Sequence, residues 1–136
     1  MSAVVSLHAY VLGYAVVGVW AAVAGWSLAL RFTRYEETPT FWRAVSVGQL
    51  LLVLQLVAGL VLLVAYALGA AGLPGDGSAF DVSFHLLYGA GFPLLALFFA
   101  HKWAREGRYN AHTVFAVAGL VVFGLTARAW QVGVGW

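Results

Sequence analysis

The chain has 136 residues, of which 63% are apolar and only 9% charged, with a formal net charge of +2 and a mean hydropathy of +0.91. That balance excludes an ordinary soluble enzyme, since a soluble domain of this size carries roughly a quarter charged residues, and the few basic residues lie in short loops, as in a membrane protein rather than a nucleic-acid binder. There is no cysteine, so disulfides, thioether haem attachment, iron–sulfur clusters and thiol catalysis are excluded.

Four long apolar segments, each long enough to cross a bilayer, account for nearly the whole sequence. Segment one is expected from about Val5 to Phe32, with Gly13, Gly18 and Gly25 spread along it. It has no basic leader and its apolar run exceeds a signal-peptide core, so no cleavable signal is expected. A loop with Arg31, Arg34, Glu36, Glu37 and Arg43 follows, in which Pro39 should interrupt any helix. Segment two is expected from about Ala44 to Ala71. The stretch GLPGDGSAFD after it has the Gly, Pro, Asp and Ser density of a surface loop. Segment three is expected from about Val82 to Lys102, with a Pro93 kink. The loop WAREGRYNA follows, and segment four is expected from about His112 to Val132.

These readings predict an all-α protein: a single four-helix transmembrane domain over residues 1–136, an integral membrane bundle running up-down-up-down because short loops force antiparallel neighbours. Arg31, Arg34 and Arg43 mark one loop, and Lys102, Arg105 and Arg108 another. The loop between segments two and three has Asp76 and Asp81 but no Lys or Arg. The positive-inside rule therefore puts both basic loops in the cytoplasm and both termini outside, in a multi-pass protein of a bacterial or archaeal cytoplasmic membrane. The rule also places residues Gly75 to Ser78 outside and Glu106 inside. Trp42, Trp103, Trp130 and Trp136 lie near segment ends, where aromatic belts form.

Polar side chains at membrane depth need a reason. By this topology His8 on segment one, His85 on segment three and Arg128 on segment four share the outer side. Two neutral imidazoles facing each other across a bundle can ligate a haem iron axially, and a nearby Arg can neutralise a propionate. Gly89, one turn from His85, leaves room for a porphyrin edge; Tyr88 beside it and Phe92 beyond are aromatics that could pack on one. The competing explanation is interfacial: His8 is close to water, and Arg128 can snorkel to headgroups. His101 and His112 form a second pair on the inner side, with His101 roughly 24 Å from His85 along the helix. They could hold a second, cytoplasmic-side haem, or belong to a headgroup-facing cationic cluster with Lys102, Arg105 and Arg108. Gln55 is near the midplane on one face with Gly59 and Tyr66; a buried Gln most often bonds another helix, and otherwise lines a quinone pocket or meets a cofactor edge.

The stretches VGQLLLVLQLVAGLVLL, FHLLYGAGFPLLALFFAH and GLTARAW together resemble small four-helix bacterial membrane proteins. Those are similar to one half of haem A synthase or to a minimal b-type cytochrome. The resemblance implies a haem between outer-end histidines on alternate helices, matched here by His8 and His85. It departs from haem A synthase in lacking the acidic motif beside the first histidine, where SAVVSL stands, and in lacking a second half. The expectation is therefore haem b binding and electron transfer, as a carrier or cytochrome subunit of a respiratory or photosynthetic complex, rather than stand-alone catalysis. Expected partners are the lipid bilayer, other membrane subunits or a second copy, and a quinone; no nucleic acid is expected. The alternatives are a cofactor-free structural accessory subunit and a minimal transporter, the latter disfavoured because no acidic residue falls within the four segments.

Overall fold

A computed structural model of the chain describes residues 2–33, 36–70 and 77–134. Arg34, Ala71, Gly75, Asp76 and Trp136, named above as loop or segment-end residues, lie outside the described residues.

The described residues form four helices, all long and apolar enough to span a membrane. Helix α1 comprises Ser2–Ser6, a π-helical stretch Leu7–Leu12 and Gly13–Thr33. Helix α2 is Pro39–Ala67. Helix α3 comprises Ala79–Leu86, a second π-helical stretch Leu87–Gly91, and Phe92–Arg105. Helix α4 is Ala111–Gly133.

The helix starts are set by local chemistry. Thr38 accepts the Phe41 backbone N–H at 3.3 Å, and Pro39 then occupies the first turn. Pro39 therefore opens α2 instead of lying in a loop, because a proline in the first turn forfeits only an N–H that has no helical partner. Ser78 caps α3 by accepting the Asp81 N–H at 3.0 Å, so that helix starts at Ala79, ahead of the apolar run. Asp81 thus lies in the first turn, where the helix dipole favours a carboxylate. The Asn110 carboxamide accepts from His112 N and Thr113 N at 3.0 and 3.4 Å and starts α4. Gly69 and Gly107, with φ of +73° and +64°, follow the ends of α2 and α3, where a left-handed residue is needed.

Helices α1 and α4 form the central pair, α2 lies on α1, and α3 lies on α4. The close approach of the central pair depends on Gly119, where a Cβ would meet the Ala24 backbone at 3.1 Å. Trp20, fully buried, lies flat against Gly48 of α2. Phe41, Val45 and Leu52 of α2 and Phe115 and Val122 of α4 complete the buried core. By contrast α2 and α3 barely touch. Val47, Leu50, Val53, Leu54, Val57 and Leu60 are exposed along α2, an apolar surface suited to lipid and not to water.

Candidate functional site

The gap between α2 and α3 opens into a cavity of about 420 Å³ to which all four helices contribute. That volume lies in the range of small-molecule and cofactor sites. Its chemistry comes from His8 and Gln55 on different helices, from His85, and from the glycines Gly59, Gly89 and Gly133. The remaining lining is chiefly apolar. Thr126 faces the cavity but its hydroxyl donates back to the Val122 carbonyl at 2.8 Å, so it is already satisfied.

His8 of α1 and His85 of α3 meet across this cavity. Their ring centroids are 6.0 Å apart, with the planes crossed at 61°. Two imidazoles on opposite sides of one metal, each bonded at ~2.0 Å, hold their centroids roughly 6 Å apart. His85 Nδ1 lies 2.9 Å from the Ala129 carbonyl oxygen and donates to it, leaving Nε2 as the free lone pair. His8 Nδ1 is buried with no hydrogen-bond partner among the described residues. Both rings are fitted against glycine. A Cβ at Gly59 would come within 3.1 Å of His8 Cε1, and one at Gly133 within 2.8 Å of His85 Cε1.

Both histidines also belong to interrupted helix. His8 lies within the π-helical stretch Leu7–Leu12, and His85 two residues before the stretch Leu87–Gly91. Such π turns are frequent at functional sites because the wider turn re-aims side chains. In α3 the π turn leads directly into buried Pro93, which has no N–H for the helical ladder.

The other expected site residues divide. Gly89 lines the cavity beside Ala129. Tyr88 does not line it; it stacks on Phe84 at 3.9 Å and meets Phe92, which is exposed. Arg128 is exposed on α4 at the same end of the bundle, donating to Gln131 at 3.2 Å, with its guanidinium 5.7 Å from the Phe84 ring centre. Gln55 bonds no other helix through its Oε1, which is buried and unpartnered at the cavity wall. Trp130, near the end of α4, donates its Nε1 to the Ala9 carbonyl at 2.7 Å, and its ring meets Tyr14.

The second histidine pair is arranged differently. His112 is fully buried at the start of α4, edge-on to Phe41, with neither ring nitrogen hydrogen-bonded to protein. His101 is half-buried, stacked on Trp42, edge-on to Phe115 and hydrogen-bonded to Gln49. Phe41 and Phe115 in turn pack on each other. Aromatic rings enclose His112, which takes it out of any headgroup-facing cluster, whereas His101 is half-buried with Arg105 donating to its backbone carbonyl. Among the described residues no group of three or more His, Asp or Glu gathers as a metal site. Searches of protein-family models, curated proteins and solved structures find no significant match to the chain.

Proposed function

We propose that the protein is a membrane-embedded b-type cytochrome, an up-down-up-down four-helix bundle that holds one haem b between His8 and His85. The observation that carries the reading is the His8–His85 pair itself: centroids 6.0 Å apart at the cavity, with His85 Nδ1 tied to a backbone carbonyl. A carbonyl acceptor behind a ligating histidine is the usual outer partner of a metal-bound imidazole. Supporting it are the cavity's size, its glycine walls and its apolar lining, which suit a planar aromatic macrocycle. A bound haem supplies one-electron redox chemistry.

The chain's own residues supply position and environment. His8 and His85 fix the axial direction. Gly59, Gly89 and Gly133 keep Cβ atoms out of the cavity. The apolar wall excludes water and lowers the local dielectric. Among the described residues Arg128 is the one Lys or Arg near this end of the bundle and would meet carboxylates at its rim. The lateral opening between α2 and α3 faces lipid in this arrangement, so an electron donor could be a membrane-soluble quinol or a helix of a neighbouring subunit.

Visible absorption of the detergent-purified protein tests the reading. The expected result is a Soret band with a sharp reduced α-band, lost or converted to a high-spin form in His85→Ala. A colourless protein that also takes up no added haemin would overturn the proposal and favour a cofactor-free accessory subunit.

A further inference from the structure

We propose that the two imidazoles are unequal donors, His85 fixed and His8 displaceable, so that the site admits a small neutral ligand of the diatomic class on the His8 side. The inference rests on the haem reading above. It deepens that reading from an electron carrier to a site that also binds an exogenous ligand.

His85 is held in three ways. Its Nδ1 donates to the Ala129 carbonyl at 2.9 Å, which fixes the tautomer with Nε2 free and makes that nitrogen a stronger donor. Its ring lies directly against Gly133, where a Cβ could not fit. One turn along α3, Gly89 lies against Ala129, so the helix backbone is tied to the same stretch of α4.

His8 has fewer restraints. Its Nδ1 is buried with no hydrogen-bond partner, so Nε2 coordination leaves a buried N–H unsatisfied. His8 also lies within the Leu7–Leu12 π turn, whereas His85 lies on regular helix ahead of its own π turn. Elsewhere Gln49 and His101 hydrogen-bond to each other, and His112 packs edge-on against Phe41.

The exchange is a simple substitution. With a haem bound, His8 Nε2 would give way to the incoming ligand, one neutral electron-pair donor replacing another, with no net transfer of electrons or protons. Oxidation state is set from outside, by dithionite in the experiment below.

Carbon monoxide is the probe, added to the dithionite-reduced protein, with absorption spectra of the parent, His8→Ala and His85→Ala. The parent should convert to a carbonyl spectrum. His8→Ala should keep its pigment as a five-coordinate species and take up carbon monoxide faster, while His85→Ala should lose most of its haem. The haem-free parent gives a second readout: ¹⁵N spectra should show His85 as one locked Nδ1–H tautomer and His8 without that lock. A coloured parent inert to carbon monoxide, equal haem loss in the two variants, or identical tautomer locking would overturn the inference and leave the bis-histidine reading standing. A colourless parent would overturn both.

Discussion

Gly133 shows how one missing methyl group shapes the site. A Cβ there would lie 2.8 Å from His85 Cε1, and the ring cannot yield without leaving the Ala129 carbonyl. Gly59 makes the corresponding, slightly looser contact with His8 at 3.1 Å. Gly124, on the same helix as Gly133, has no atom within 4 Å of its would-be Cβ. Gly133→Ala should therefore destabilise the fold by about 1–3 kcal/mol through overpacking and displace His85. Gly124→Ala should be neutral or stabilising by up to about 1 kcal/mol, from helix propensity. Unfolding of both variants by denaturing detergent checks this, with the haem spectrum as a second readout. Equal stability of the two would show that His85 is not held against Gly133.

Among the helices, the central α1–α4 pair is the least forgiving contact. At Gly119 the contact is with backbone, which cannot swing aside: a Cβ there would meet Ala24 N and Cα at 3.1 and 3.2 Å. Small residues at such crossings let van der Waals packing act in lipid, where no hydrophobic drive exists between helices. Gly119→Ala must push the helices apart and is expected to cost about 1–3 kcal/mol, whereas Gly25→Ala, with open space around its Cβ, should cost nothing. Comparison of their unfolding midpoints decides it; equal midpoints would mean that α1 and α4 do not meet at Gly119. The loose pairing of α2 with α3 is the counterpart. These helices are joined near Gln49 and His101 by a hydrogen bond and by the Trp42–His101 stack, and they separate around the cavity.

At the scale of the molecule, the distribution of charge argues for one orientation. The Lys102–Glu106 pair at 3.9 Å is exposed at the end of α3, and Arg105 reaches back to the His101 carbonyl. The cavity lies at the opposite end of the helices, where Arg128 is the one Lys or Arg among the described residues. The positive-inside rule predicts that the basic loops face the cytoplasm and the His8–His85 site faces outward. The native chain has no cysteine, so single introduced cysteines report cleanly. A cysteine at Ala70 should label from outside intact cells and one at Glu106 only after permeabilisation. The reverse pattern would place the site at the cytoplasmic face. Helix α2, with 29 residues, is about 43 Å long against a hydrocarbon core of about 30 Å, so it should tilt or project beyond the core.

Much of this was legible from the residue order because a bilayer imposes simple rules. Segment length and apolarity define four helices. Equal depth on alternate helices then brings His8 and His85 to one level, with Gly89 a turn away. Helix boundaries were less legible, since Pro39 and Ser78 start helices through capping hydrogen bonds that hydropathy does not register. What only the tertiary structure decided is rotation about each helix axis. Segments apolar around most of their circumference carry almost no signal of which face turns inward. Rotation alone directs Trp130 to Ala9 and puts Gln55 on the cavity wall. It buries His112 behind Phe41 and leaves Arg128 exposed beside Phe84. It also aligns the Ala129 carbonyl with His85, a contact whose acceptor is backbone and so leaves no mark on residue identity.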